Sequence, residues 1–296
     1  GIVTEYCYNK ENQLLKKTCQ NIEYTYEYNA RGDLIKEYID QNCVAEYTYN
    51  SIGQILFAKN EKGSVMYIYD ALGNKTAADF KYADGRCVKE TYYINYLVPN
   101  SQSLCKTVKE KGVSRSQNQY FDGSPLAEEI DGKLIWDIFD VPGSLVMRLE
   151  SGESYQRIDY SPFGSIEKTG ESFGDFNSSY GFSSMQSDDF LGRHCSGTRV
   201  YDPGNARFQS KDIVVINPYD PKSINRYVYA QNDPKNKKDS DGFVPAALAW
   251  LAKGAITGGI KAGVHLIKEV AVAASEITAN AAISAAQGKG FNLVEQ

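Results

Sequence analysis

Histidine is nearly missing from this chain: 296 residues contain two, His194 and His265. A histidine-based metal cluster is therefore excluded, and any Ser-His or Cys-His nucleophile would have to rest on His194. Cys195 stands beside it, but neighbours on a strand point to opposite faces, which argues against a dyad. The six cysteines, at 7, 19, 43, 87, 105 and 195, are scattered, with no Cys-x-x-Cys spacing and no zinc-type histidine pairing. Reduced thiols are expected, not disulfides or a metal site. No apolar run reaches the roughly 20 residues that span a bilayer. The net charge of -5 contains no block of one sign, so neither nucleic acid nor an anionic membrane is expected as partner. No glycine loop suited to cradling phosphate occurs, and no cofactor is expected. The chain opens Gly1-Ile2-Val3 without Met or apolar leader and reads as part of a longer one, any export signal lying upstream.

Tyrosine is what the chain has in excess, 22 against nine prolines. Tyrosine forms strands, packing its ring and keeping its hydroxyl wet, so this abundance predicts β-structure with half-buried faces. Aligned on tyrosine, the first eighty residues repeat: "YCYNKENQLLKK" from Tyr6, "YEYNARGDLIKE" from Tyr26, "YTYNSIGQILFA" from Tyr47 and "YIYDALGNKTAA" from Tyr67. Tyr8, Tyr28, Tyr49 and Tyr69 follow one another at 20, 21 and 20 residues, an internal period. Alternating tyrosines share one face of a strand, Asn or Asp caps a tight turn, and Gly supplies the positive φ that returns the chain. Each repeat is thus a β-hairpin, and hairpins that cannot bury a face alone must lie side by side in a long sheet or solenoid. The same pattern accounts for Arg31-Gly32-Asp33, which spells an adhesion tripeptide but falls on a repeat turn, with Gly32 where other units have Gly53 and Gly73.

Tyr-x-Tyr-Asn/Asp-x-x-Gly-x-Leu at this spacing resembles the YD repeats of bacterial RHS proteins, Tc toxin C subunits, wall-associated proteins and teneurins. The likeness continues through "DVPGSLVMRLESGESYQRIDYSPFG" (140–164), "GTRVYDPGNARFQSKD" (197–212) and "INRYVYAQNDPKNKKDSDGF" (224–243), similar to successive parts of the RHS-associated core. The resemblance implies an all-β fold in which hairpins form a curved sheet or spiral shell closed by that core, followed by a short α-helical C-terminal segment. The divisions it suggests are YD repeats in 1–82, further hairpins and core in 83–243, and the start of a variable pre-toxin region in 244–296. Ala206 stands where the family usually has Gly, and "FLGRHCSG" (190–197) lacks the usual aromatic pair after Gly192.

Members of that family cut themselves after the core with two aspartates. The matching positions are Asp212 and Asp239, with Lys211 in a supporting slot often held by Arg, Asp241 as substitute candidate, and the cut between Phe243 and Val244. Two carboxylates brought close do not both ionise readily, so one can polarise the carbonyl while the other activates water. Ile213 and Val214-Val215 replace the usual Pro and Gly region, and Ser240 replaces the second Pro. Read without the family, an Asp in such a loop is a turn residue.

From Pro245 the sequence is Ala-rich and predicts helix, with Gly254, Gly258, Gly259 and Gly263 in two GxxxG spacings. An interfacial membrane contact through Trp250, Leu251 and Ile256 is the secondary reading; a small-residue helical region packed in the shell is preferred. The expected function is a secreted, cell-surface or injected bacterial toxin carrier, an intramolecular aspartyl-type autoprotease that encapsulates its own C-terminal region as cargo. The implied partners are an immunity protein and secretion machinery. The alternatives are an adhesive or structural surface protein without processing, and a degenerate carrier that never cuts.

Overall fold

The computed structural model describes residues 3–94, 103–121, 125–150, 155–169, 178–212, 224–239 and 246–247. The chain divides into two compact units, Gly1–Ala246 and Ala247–Gln296, and all described residues but Ala247 belong to the first. The period becomes β1 (Thr4–Tyr8), β2 (Leu14–Cys19), β3 (Ile22–Tyr28), β4 (Leu34–Ile39), β5 (Asn42–Tyr49), β6 (Ile55–Asn60), β7 (Gly63–Tyr69) and β8 (Lys75–Tyr82). The meander continues through β9 (Cys87–Ile94), β10 (Ser103–Glu110), β11 (Val113–Phe121), β12 (Pro125–Ile130), β13 (Lys133–Phe139), β14 (Leu145–Glu150), β15 (Tyr155–Tyr160) and β16 (Ile166–Thr169). All sixteen form one antiparallel sheet in strict chain order.

The repeat turns are built from one side chain. Asn9 Oδ1 accepts from the backbone N–H of Glu11 and Gln13, Asn29 from Arg31 and Asp33, Asn50 from Ile52 and Gln54, and Asp70 from Leu72 and Asn74. The glycine position needs left-handed backbone, and Gly32 adopts φ +94°. The first repeat has no glycine there, and Asn12 takes the same region at φ +61°, the conformation asparagine tolerates best after glycine.

The tyrosines depart from expectation in one respect. In the second to fourth repeats both rings of a pair face the core, but the second hydroxyl is not wet: Tyr49 donates to the Leu34 carbonyl at 2.6 Å and Tyr69 to the Ile55 carbonyl at 3.0 Å. The Tyr28 hydroxyl lies against the Leu14 backbone. The second tyrosine of one repeat thereby ties itself to the first apolar residue of the strand before it, and burial raises the pKa of Tyr28, Tyr49 and Tyr69. A buried hydroxyl needs a partner, and the strand end supplies one.

A second module lies on this tyrosine face. Its sheet contains β17 (Gln186–Asp188), β18 (Arg193–Ser196), β19 (Arg199–Asp202) and β20 (Arg207–Phe208), in that order, and 3-10 turns occur at Phe182–Ser184 and Ala230–Asn232. Phe190 and Val200 enter the tyrosine core directly. Polar clamps surround that contact: Arg193 Nη2 lies 2.7 Å from Glu37 and 3.2 Å from Asp202, Arg193 Nη1 donates to Tyr47, and Tyr67 donates to Asp188. Tyr227 donates to the Gly32 carbonyl at 2.7 Å, and Leu34 N–H to the Gln209 carbonyl at 3.0 Å. These contacts join residues far apart in the chain, and they seat the module over the repeat turns.

Ala246–Ala247 are extended, so the helix expected from Pro245 does not begin there; strand backbone overrides alanine's intrinsic helix preference. The remainder of the expected helix, its GxxxG spacings and Trp250, Leu251 and Ile256 lie outside the described residues. Among the described residues no helix is long and apolar enough to cross a membrane.

Candidate functional site

The module has its own aromatic core of Phe182, Met185, Tyr201, Phe208 and Tyr229, with the Tyr201 and Tyr229 rings 4.6 Å apart. It fixes β19 and β20, and so aims Arg199. The Arg199 guanidinium stacks over the Phe208 ring at 3.7 Å, an arrangement favoured by a planar cation on an aromatic face.

Arg199 gathers the predicted pair. Its Nη2 is 3.0 Å from Asp212 Oδ2 and 3.2 Å from Asp239 Oδ2, all three side chains being buried. Its Nη1 donates to the Arg226 carbonyl at 3.2 Å, which also accepts the Asp212 N–H at 2.9 Å. Ser196 Oγ donates to the Asp239 carbonyl at 2.8 Å, fixing that backbone from β18. The Tyr229 hydroxyl also faces Asp239. Two carboxylates from segments far apart in sequence are therefore within two hydrogen-bond lengths of each other across one cation, which offsets their mutual repulsion.

Lys211 precedes Asp212 and adjoins the repeat turns. Its Cβ lies beside the Gly32 turn, 3.4 Å from where a Gly32 side chain would begin. Asp241, Phe243 and Val244 lie outside the described residues, as do Ser240, Ile213, Val214 and Val215. Arg199, between the two carboxylates, is a cation the sequence reading did not single out. Its signal was present, since Arg199 opens the quoted Arg-x-Tyr-Asp-Pro stretch, but nothing local connects it to residues 13 and 40 positions downstream.

The other constellations separate. His194 packs on Phe182, and burial lowers its pKa to about 4. Cys195 turns the other way into the tyrosine core, where burial raises its thiol to about 11. The pair is no nucleophile and base. All six cysteines are free. Asp33 of the Arg-Gly-Asp turn is buried and held by Arg31 at 2.6 Å, so this tripeptide has no outward carboxylate to offer an adhesion receptor. Among the described residues no group of three or more His, Cys, Asp or Glu could hold a metal ion.

Ala206, where the resemblance expects Gly, adopts φ +55°. The glycine-type backbone has been kept although the glycine has gone.

Comparison with known proteins places this architecture. The teneurin YD-shell family model matches residues 3–235. The tRNA3(Ser)-specific nuclease WapA of Bacillus spizizenii is 25% identical over 268 residues, covering 79% of this chain and 12% of that protein. Salivary gland surface protein 1 of Aedes aegypti is 24% identical over 197 residues, 64% of this chain and 6% of that one. The chain thus spans about an eighth or less of these relatives. The crystal structure of TcdB2-TccC3-Cdc42 superposes with a TM-score of 0.55 at 14% identity, covering 82% of this chain and 16% of that one. That of TcdB2-TccC3-TEV gives 0.52 at 16% identity, covering 81% and 15%. The structural likeness establishes the fold, and with the family model spanning most of its length the chain belongs to the teneurin YD-shell family of RHS/YD-repeat proteins.

Proposed function

We propose that this chain is the closing part of a bacterial toxin carrier: residues 1–82 and 83–243 form the container wall and its core, and 244–296 begin the enclosed cargo. The core cuts the chain between Phe243 and Val244. The observation that carries this reading is the placement of Asp212 and Asp239 on one nitrogen of Arg199. In the cut, one carboxyl group donates a hydrogen bond to the Phe243 carbonyl while the other takes a proton from water. The water oxygen bonds to that carbon, the C–N bond breaks, and the Val244 nitrogen leaves with a proton from the acid partner. Holding the scissile bond in the same chain supplies the large effective concentration of an intramolecular step. Asp241 is the substitute candidate for either carboxyl role, and Lys211, beside Asp212 in the chain, is the supporting residue.

The WapA relatives, named as tRNA nucleases, support a carrier of toxic cargo, with an immunity protein and a secretion route as its partners and an extracellular or injected destination. Intact-mass measurement of the purified chain tests the cut. Two fragments, 1–243 and 244–296, are expected from the natural sequence, and one uncut chain from Asp212→Asn or Asp239→Asn. A natural chain that stays whole on prolonged incubation leaves a carrier that does not process itself.

A further inference from the structure

A second polar cluster sits on the sixteen-stranded sheet. Glu128 of β12, Asp137 of β13 and Arg148 of β14 are side chains at most 2% exposed. Arg148 Nη2 lies 2.7 Å from Glu128 Oε2, and Arg148 Nε lies 2.9 Å from Asp137 Oδ1. Asp137 and Arg148 are direct cross-strand partners.

The cluster holds the strip of chain that enters the second module. Ser179 N–H donates to Glu128 Oε1 at 2.8 Å, Gln117 Nε2 bridges Glu128 Oε2 and Ser179 Oγ at 3.0 and 2.9 Å, and Ser178 lies near Asp137. Just beyond, Leu145 N–H donates to the Gly181 carbonyl and Ser183 N–H to Ser144 Oγ.

One cation against two carboxylates leaves a surplus negative charge with almost no access to water. Burying an uncompensated charge is expensive, and the remedy open to a carboxylate is to take up a proton. Tyr160 of β15 also lies within electrostatic reach of Asp137, and a phenol supplies no positive charge.

We propose that Glu128, Asp137 and Arg148 form a proton-linked latch: with one proton bound the cluster is neutral and Ser178–Ser179 stay on the sheet, and without it the strip opens more readily. Burial and the Glu128 charge raise Asp137 to about 7, against the Arg148 attraction that lowers it. An acid whose pKa is raised in the closed state stabilises that state most below the pKa of the open state, near 4. That contribution declines as pH rises from about 4 and is lost above about 7. Mild acid therefore tightens the junction between sheet and module, and neutral to alkaline conditions loosen it.

Hydrogen exchange on the full chain tests the latch, read as protection factors of the 178–185 backbone at pH 5 and pH 8. Protection in the natural chain is expected to fall by about tenfold or more between the two. Asp137→Asn, neutral at both, is expected to hold the acid-state protection throughout, and Glu128→Gln to do likewise. Equal protection of the natural chain at both pH values overturns the proposal even if neither variant folds. A pH response that persists unchanged in folded Asp137→Asn overturns it as well.

Discussion

Asp212 and Asp239 share a single nitrogen of Arg199, at 3.0 and 3.2 Å, although they reach it from separate segments of the module. Arg199→Lys keeps the charge but replaces the planar fork stacked on Phe208 with a compact ammonium, which loses that stacking and the fork's fixed reach to both carboxylates and the Arg226 carbonyl. Losing one charge-assisted bond of about 1.5–3 kcal/mol corresponds to self-cleavage slowed roughly ten- to hundredfold, measured by fragment mass against time. Unchanged cleavage in a folded Lys variant would remove Arg199 from the site.

The kept positive φ at Ala206 gives a stabilising substitution. A non-glycine residue in that region costs about 1–2 kcal/mol, part of which glycine returns as unfolded-chain entropy. Ala206→Gly should raise unfolding free energy by about 0.5–1 kcal/mol in urea titration, with no change in slope.

Glycine to alanine at two other turns separates strain from crowding. A side chain at Gly85, φ +84°, meets nothing within 4 Å, so Gly85→Ala should cost only the backbone strain of about 1 kcal/mol. At Gly32 the new Cβ would sit 2.6 Å from the Tyr227 hydroxyl. Gly32→Ala should therefore cost about 2 kcal/mol more than Gly85→Ala, because it also pushes the module off the repeat turn. Equal losses would mean that Tyr227 moves aside freely.

Arg193 ties three elements through Glu37, Asp202 and Tyr47, all in a buried setting. Arg193→Met leaves Glu37 and Asp202 without their shared cation, and about 3–5 kcal/mol is expected to be lost. Thermal unfolding of the variant should resolve the module from the sheet as a separate, earlier transition.

His194 supplies a pH dependence opposite in sign to that of Asp137. Its pKa falls from 6.5 to about 4 on folding, so the folded state resists its protonation. The stability it contributes is fully present above about pH 6.5 and is lost as pH falls towards 4, by up to about 3 kcal/mol. His194→Gln should flatten this acid limb of the stability curve, while Asp137→Asn should flatten the decline that runs from about pH 4 to 7. Parallel urea titrations at pH 5 and 7 distinguish the two.

What could be read from residue order follows interaction range. The turns at Asn9, Asn29, Asn50 and Asp70 were legible because donor, acceptor and glycine lie within five residues of one another. The Tyr49 and Tyr69 hydroxyls were misjudged as wet because their partners, Leu34 and Ile55, are about fifteen residues away on the adjacent strand. Asp212 and Asp239 were found by resemblance. Arg199 was passed over because its role depends on Phe208 orienting it and on two loops converging. Glu128, Asp137 and Arg148 look like ordinary solvent-facing strand residues until the Ser178–Ser179 strip covers them.

A sheet whose sixteen strands pair only with their chain neighbours has a kinetic consequence. Every ladder closes a short loop, so contact order within the sheet is low, and each hairpin can dock as soon as it leaves the ribosome. The module breaks that pattern, since Arg193, Gln209 and Tyr227 must find partners near residues 32–47. Synthesis thus lays down the sheet in vectorial order, and the module's long-range search begins only when its target surface is already assembled.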